Sequence, residues 1–141
     1  MANAIPFQLI TPLSVKFDGE AELVIAVGTE GEVGILPSHA PYLTALRPGV
    51  LRANVRDGSA DATRRLELAC SEGFMQALPD KVTILADAAL ERDEIDIAQA
   101  RADLAAAQEE QKAAGGDLYA QRRALVKIDY ANARLSVAGV S

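Results

Sequence analysis

The sequence of 141 residues is poor in the side chains that carry most enzyme chemistry. It contains one cysteine, Cys70, and one histidine, His39, and it has no tryptophan. A single cysteine excludes an internal disulfide and a cysteine-based zinc site, and a single histidine excludes a paired-histidine metal site. Aromatic residues make up only 4% of the chain, so we expect a core of valine, leucine, isoleucine and alanine. These absences exclude most enzyme classes and predict no metal site.

Positive charge and long apolar segments are also scarce. The chain has 14 Lys and Arg against 20 Asp and Glu, a net charge of −6, which argues against nucleic-acid binding. No apolar run approaches the roughly 18 residues of a membrane span. Residues 1–6 lack the features of a signal peptide and of a transit peptide. We therefore expect a bacterial cytoplasmic chain, or an already processed organellar one.

Short alternating segments separated by glycine, proline and aspartate extend to about Ala86. Within residues 50–56, apolar and polar side chains alternate as in a half-buried strand, and Asp57-Gly58 then predicts a hairpin turn. Cys70 falls on the apolar side of the next strand, which predicts an inert core thiol. Closely spaced strands are typical of an antiparallel β-sandwich or barrel. The other predicted strands cover residues 20–27, 65–70, 73–78 and 82–86.

The pattern changes to a helical one from Asp87 onward. Residues 93–114 contain no Gly or Pro, and Asp93, Glu94 and Asp96 would lie in the first turn of a helix. Gly115-Gly116 ends this segment, so the chain divides into a sandwich domain at 1–86 and an antiparallel two-helix hairpin at 87–141.

The second helix is predicted to begin at the N-cap Asp117 and to run to about Val137. Four of its apolar residues fall within about 100° of arc and predict its buried stripe: Leu118, Leu125, Ile128 and Leu135.

Charge is divided unequally between the two helices. Residues 87–114 hold eight acids and three bases, whereas residues 115–141 hold four bases and two acids. Arg123, Lys127 and Arg134 lie within about 40° of one another on the second helix. They either form a solvated face that pairs with the acidic first helix, or they bind an acidic partner.

The glycine-rich segment 28–41 is predicted to be a surface loop that contacts a protein. Glu30 and Glu32 stand where a phosphate would have to sit, and no lysine lies in the segment. His39 is adjacent to Ser38, but neighbouring side chains in an extended segment point apart, which disfavours a catalytic pair. We expect His39 to be hydrogen-bonded into the loop or an interface.

Segment 29–46 has the core Glu-Gly-Glu-Val-Gly-Ile-Leu-Pro-Ser-His-Ala-Pro and closely resembles the epsilon subunit of bacterial F-type ATP synthases. The resemblance continues in order over nearly the whole chain, through segments 47–51, 72–74 and 82–87. It implies a sandwich of about ten strands followed by two helices. It also implies a non-catalytic rotor subunit of the central stalk, peripheral on the cytoplasmic face of the bacterial inner membrane.

The same resemblance implies three contact surfaces. Loop residues Glu30, Glu32 and His39 would face the c-ring, and the strand with Phe74, Gln76 and Leu78 would meet the gamma subunit. The hairpin would either fold onto the sandwich or extend along gamma and restrain ATP hydrolysis. In the extended state its contacts with the catalytic beta and alpha subunits would come from Arg123, Lys127 and Arg134.

One departure from the family pattern concerns nucleotide binding. Family members that bind ATP carry Ile/Leu-Asp-x-x-Arg-Ala, but here Gln99 follows Asp96 at the arginine position. Arg101 lies about 200° around the helix from Gln99 and cannot replace that arginine on the same face. We therefore expect no bound cofactor, including ATP.

The residues leave two other functions open. One is a free-standing β-sandwich that binds a small molecule and uses the hairpin as a dimerisation arm. The other is an enzyme, the weaker alternative, because no nucleophile is paired with a base.

Overall fold

The computed structural model describes residues 4–56 and 62–140. This part of the chain forms nine strands, a short 3₁₀ turn and two α-helices, which confirms the predicted sandwich followed by a helix hairpin. The strands are β1 (Ile5–Ile10), β2 (Val15–Gly28), β3 (Gly31–Ile35), β4 (Tyr42–Leu46), β5 (Gly49–Arg56), β6 (Thr63–Cys70), β7 (Gly73–Leu78), β8 (Lys81–Ala86) and β9 (Ala89–Leu90). The turn covers Arg92–Glu94, and the helices are α1 (Ile97–Ala114) and α2 (Leu118–Ala138).

Strand β2 joins the two layers of the sandwich. It is 14 residues long and pairs with β1 near its start, with β5 in its middle and with β3 and β4 near its end. Its register with β5 shifts between Ala21 and Leu23, a bulge of the kind that lets a strand bend. The hydrogen-bonded sheet can therefore fold over on itself, with β1, β8, β7 and β4 in one layer and β5, β6 and β9 in the other.

Alternating side chains supply the core between the layers, as the sequence predicts. Leu51, Ala53 and Val55 of β5 are buried, and the polar residues between them are not. The core is mainly aliphatic, and the rings of Phe7 and Phe17 meet within it at a centroid distance of 5.6 Å. A domain of this size can therefore bury a continuous apolar core without tryptophan.

Two details differ from the expected antiparallel sandwich of about ten strands. The described residues form nine strands, and β1 pairs with β8 in parallel, an arrangement that the long connection between these two strands permits. Strands β5 and β6 pair from Gly49 with Cys70 to Arg56 with Thr63. The predicted Asp57-Gly58 turn between them lies outside the described residues.

The first helix begins later than predicted, at Ile97 rather than Asp93. Asp93 and Glu94 belong to the 3₁₀ turn, and Ile95 after them is extended, which interrupts the helix. Asp96 is the N-cap, since its carboxylate accepts a hydrogen bond from the backbone N–H of Gln99 at 3.0 Å. Local composition therefore predicted the helix but misplaced its start.

The turn between the helices is confirmed. Gly115 ends α1 with a φ of 54°, a conformation that glycine adopts without strain. Asp117 then caps α2 by accepting from the backbone N–H groups of Tyr119 and Ala120.

The predicted leucine stripe of α2 is wrong in its first half, because Leu118 is 77% exposed and Leu125 is also exposed. The helix instead buries small side chains, which let its backbone approach its neighbours closely. These buried residues are mainly alanines: Ala124, Ala131, Ala133 and Ala138, with Leu135 and Val137.

The hairpin lies on the outer face of the β5–β6 layer. Ala133 and Val137 of α2 pack on Ala69, with Val50 and Tyr130 at the margin of this cluster. Ala69 is therefore buried although it points away from the main core. The sheet also extends past Ala86, the expected end of the sandwich domain, because Ala89 and Leu90 of β9 pair with β6.

The close approach of β7 to β8 at Gly73 generates a stability prediction. A Cβ at Gly73 would lie 1.9 Å from the carbonyl oxygen of Leu85, so the backbone would have to move. We expect Gly73→Ala to lower the free energy of unfolding by about 2–3 kcal/mol in urea titrations. Gly116→Ala is the matched control, since a Cβ there meets nothing within 4 Å, and equal effects of the two substitutions would contradict the prediction.

Candidate functional site

The outer face of the layer formed by β1, β8, β7 and β4 is apolar and exposed. Phe74, Gln76 and Leu78 alternate outward along β7, so the structure brings these three predicted residues together on one face. Leu43 of β4 and Leu85 of β8 join them, because Leu43 lies opposite Gln76 and Leu85 lies opposite Phe74. Leu43, Phe74 and Leu85 are 69%, 58% and 51% exposed.

An open groove of about 530 Å³ lies at one end of this face. Phe74 and Leu85 line it together with Pro12 of the β1–β2 turn. Ala45 and Glu72 also belong to the lining. An apolar face with a groove of this kind is typical of a surface that binds another protein.

Sequence analysis missed Leu43 and Leu85 as parts of this surface. The signal was present for Leu85, since Val82, Ile84 and Ala86 are the inward residues of β8 and a large apolar side chain lies between them. For Leu43 the signal was weaker, because its position depends on the pairing of β4 with β7.

The segment containing Glu30, Glu32 and His39 is not one loop, as predicted, but contains β3. Gly28 pairs with Gly31 across a tight turn that carries Glu30, and Gly31 has a φ of 125°. Glu30 lies before β3 and His39 lies after it, so the structure separates them by the length of this strand. Gly31–Ile35 pairs with β2 as a strand, in which Val33 and Ile35 alternate with Glu32 and Gly34.

Glu32 and His39 both have partners within the chain. Glu32 lies on β3 and forms an ion pair with Arg52 of β5. The Nδ1 of His39 donates a hydrogen bond to the carbonyl of Leu36 at 2.7 Å, which confirms the prediction that His39 is bonded into its own loop. Ser38 beside it has a φ of 66°, so this loop holds a left-handed residue that is not glycine. Glu30 is exposed in the turn.

The three basic residues predicted on α2 differ in their surroundings. Lys127 bonds both carboxylate oxygens of Glu110 on α1, each at 3.0 Å. Arg134 bonds Asp103 on α1 at 2.9 Å, and its guanidinium lies over the ring of Tyr130. Two of the three therefore pair with the acidic first helix, which was one of the two predicted alternatives.

Arg123 is different. Its guanidinium lies 5.8 Å from the ring centroid of Tyr119, and among residues 4–56 and 62–140 it makes no ion pair. It lines a shallow groove near the helix turn together with Lys127 and Glu110.

Asp96 and Gln99, the positions of the ATP-binding pattern, are engaged within the hairpin. The carboxylate of Asp96 caps α1, and the side-chain amide of Gln99 donates to Asp103 at 2.8 Å. This bond from Gln99, followed by the bond and charge of Arg134, holds the pKa of Asp103 below its usual value of 3.8.

Among the residues that the structure describes, two ion pairs join the hairpin and its linker to the sandwich. Lys16 of β2 bonds both carboxylate oxygens of Glu94, at 2.8 and 2.9 Å. Arg47 lies 3.9 Å from Asp129 of α2. The hydrogen bond from Lys16, followed by one from the backbone N–H of Glu91, lowers the pKa of Glu94 below its usual 4.5.

Cys70 is buried, as predicted, at the end of β6. Burial raises the pKa of its thiol to about 12, which leaves almost no nucleophilic thiolate at neutral pH. The described part of the chain contains no cluster of three or more side chains able to hold a metal ion. Within the same residues, neither helix is long and apolar enough to cross a membrane.

The Lys16–Glu94 pair generates a pH prediction. Because the folded pKa of Glu94 is depressed, its stabilisation is present above pH 4.5 and is lost as pH falls through the folded value. We expect Lys16→Met to move the pKa of Glu94 back toward 4.5 in an NMR titration of the side-chain carboxyl carbon. Lys81→Met, at an exposed residue of β8, is the control and leaves the pKa unchanged. An unchanged pKa in Lys16→Met would show that the pair is not formed in solution.

Comparison with protein families and curated proteins gives a consistent result. Residues 4–92 match the family model described as ATP synthase, Delta/Epsilon chain, beta-sandwich domain. The ATP synthase epsilon chain of Desulforamulus reducens is 36% identical over 122 residues, covering 86% of this chain and 88% of the relative. The epsilon chain of Chromobacterium violaceum is 37% identical over 111 residues, covering 79% and 76%.

Solved structures extend the similarity to the whole fold, hairpin included. One is a chain of the Euglena gracilis mitochondrial ATP synthase, from a structure of OSCP, F1 and the c-ring. It covers 96% of this chain and 81% of its own length, with a TM-score of 0.74 and 19% identity. A chain from the central stalk and c-ring of the Tetrahymena thermophila mitochondrial enzyme covers 96% and 97%, with a TM-score of 0.63 and 18% identity. On the family model and the curated relatives, this chain belongs to the ATP synthase delta/epsilon chain family.

Proposed function

We propose that this chain is a non-catalytic rotor subunit in the central stalk of an F-type ATP synthase, where it couples rotation of the c-ring through gamma to ATP synthesis. Family membership supports this function, because the curated relatives are ATP synthase epsilon chains. One matched structure is titled as a central stalk with its c-ring. The chain performs no chemistry of its own, and its contacts transmit torque.

The observation that carries the proposal is the unequal covering of the two sandwich layers. The hairpin covers the outer face of the β5–β6 layer, whereas the opposite outer face keeps Leu43, Phe74 and Leu85 exposed. A rigid sheet holds these side chains in fixed positions, as a torque-bearing contact requires. This face, with Gln76 and Leu78 beside it, is the proposed contact with gamma.

The proposed c-ring contact is the β2–β3 turn and β3. Glu30 is exposed in a two-residue turn, and Glu32 is held by Arg52. His39 is at the other end of β3 and stabilises its own loop through Leu36, so in this proposal its part is to shape the surface. The subunit would then lie at the cytoplasmic face of the bacterial inner membrane without entering the bilayer.

The proposed role of the hairpin is to restrain ATP hydrolysis when it leaves the sandwich. Its contact with the sandwich is a cluster around Ala69, Ala133 and Val137, with the Arg47–Asp129 ion pair at its edge. A contact of this size suits an equilibrium between a docked and an extended hairpin. In the extended state Arg123, Lys127 and Arg134 would meet acidic segments of the catalytic beta and alpha subunits. No nucleotide takes part, because Gln99 offers no cation for a phosphate.

The gamma contact gives a binding prediction. We expect Phe74→Glu to weaken binding of the full chain to purified gamma by about 30-fold or more, since it places an unpaired charge in a desolvated apolar contact. Leu118→Glu is the control, because Leu118 is also a large exposed apolar residue but lies on the hairpin. Titration calorimetry measures both. Equal affinities of Phe74→Glu and the unmodified chain would place gamma elsewhere, and no binding by the unmodified chain would favour a free-standing ligand-binding sandwich.

The hairpin gives an activity prediction for the reconstituted ATPase. We expect removal of residues 97–141 to raise the rate of ATP hydrolysis several-fold, while β9 and the Lys16–Glu94 pair remain in place. Replacing Arg123, Lys127 and Arg134 with alanine reproduces this rise if their charge carries the restraint. The same replacement of Arg65, an exposed base on β6, is the control. Unchanged hydrolysis after the truncation would defeat the braking role.

A further inference from the structure

We propose that α1 competes with an acidic partner for the cations of α2. While the two helices are packed together, which we call the closed hairpin, Asp103 and Glu110 pair with Arg134 and Lys127 and so mask them. This inference rests on the proposed braking role for its biological meaning. It says how the basic surface of α2 would be regulated, because an acidic partner would have to displace these carboxylates before it could bind the cations.

The pair between Arg134 and Asp103 is the stronger mask. The Arg134 side chain is only 11% exposed, although it is a charged residue on a surface helix. Its Nη1 donates to Asp103 at 2.9 Å, and its guanidinium lies 4.5 Å from the centroid of the Tyr130 ring. An arginine that is stacked on an aromatic ring and paired with a carboxylate has few donors left for a partner.

Gln99 completes this mask. Its amide donates to Oδ1 of Asp103 at 2.8 Å, while Arg134 donates to Oδ2. Both carboxylate oxygens are therefore in use, and Asp103 is held as an anion in one orientation. A cation in place of Gln99 would compete with Arg134 for the same carboxylate, so the glutamine favours a closed hairpin as well as removing a phosphate ligand.

The pair between Lys127 and Glu110 is more exposed and weaker. Lys127 reaches both oxygens of Glu110 at 3.0 Å, with about half of each side chain in solvent. Arg123, nearer the helix turn, has no such carboxylate in the described part of the chain.

The exposure of the three cations therefore decreases along α2, from exposed Arg123 through half-exposed Lys127 to the partly buried Arg134. An acidic partner would meet Arg123 first and would release Arg134 only by separating the helices.

The test measures how well the isolated full chain binds a 20-residue poly-L-glutamate peptide at low salt. We expect the double variant Asp103→Asn and Glu110→Gln to bind about fivefold more tightly than the matched control Glu109→Gln plus Asp93→Asn. The control removes two negative charges from the same region, but Glu109 pairs with Lys112 on its own helix and Asp93 lies in the 3₁₀ turn. A difference in affinity between the two variants therefore reports the unmasking of Lys127 and Arg134, because both variants have lost the same negative charge.

A further variant tests whether the gain in affinity comes from the two unmasked cations. Adding Lys127→Gln and Arg134→Gln to the double variant should remove the gain, while circular dichroism checks that the helices persist. Glu110→Gln alone, at an exposed pair, should give a smaller gain without disturbing packing. Equal affinities of the double variant and its control, or a gain that survives loss of the two cations, would overturn the inference. Because no ATPase is present, the assay stands apart from the truncation experiment, and failure of the brake and failure of the mask are distinguishable.

Discussion

The small apolar contact between α2 and the outer face of β5 and β6 determines how the molecule is organised. Ala133 and Val137 lie directly on Ala69, so the helix backbone sits close to the sheet, and the larger Tyr130 packs only at the margin of the contact. Because the contact is made by small residues, it is specific in geometry but modest in buried area. A contact of this kind orders the hairpin on the sandwich, and its modest size is the physical reason why we propose that the hairpin can be released.

The same contact makes the two sides of the sandwich unequal. One layer is covered on both faces, by the core inside and by α2 outside, whereas the other is covered only inside. Its outer face keeps large apolar side chains exposed to solvent, and such a patch on a folded protein is typical of an interaction site. The surface on β4, β7 and β8 is therefore the side of the sandwich that is open to a partner, and the hairpin packs on the other side. A partner bound on this surface would therefore not overlap the docked hairpin.

Local patterns predicted the elements that depend on local chemistry. The alternation in β5, the Gly115 turn and the Asp117 cap could all be read from a few neighbouring residues. Features that depend on distant residues could not. The carboxylate of Glu94 binds Lys16, which lies 78 residues away in sequence. Residues 92–94 form a 3₁₀ turn and are not part of α1, although their composition favours a helix.

The errors on the candidate surfaces have the same origin. Leu118 and Leu125 match an apolar stripe in sequence, but α1 and the sheet leave the first half of that stripe uncovered, and the close-packed alanines carry the interface. Leu43 could not be assigned to the exposed face before the pairing of β4 with β7 was known. The joint position of Phe74, Gln76 and Leu78 needed only the alternation of one strand, so the sequence was sufficient there.

The central claim is that this chain turns with the rotor. A bead can be attached through Asp80→Cys, an exposed site between β7 and β8, because the natural thiol of Cys70 is buried and unreactive. The measurement follows the bead by single-molecule microscopy while the immobilised ATPase hydrolyses ATP. The account predicts stepwise rotation of the bead at the rate of a bead attached to gamma. A bead that stays fixed while gamma rotates would contradict it.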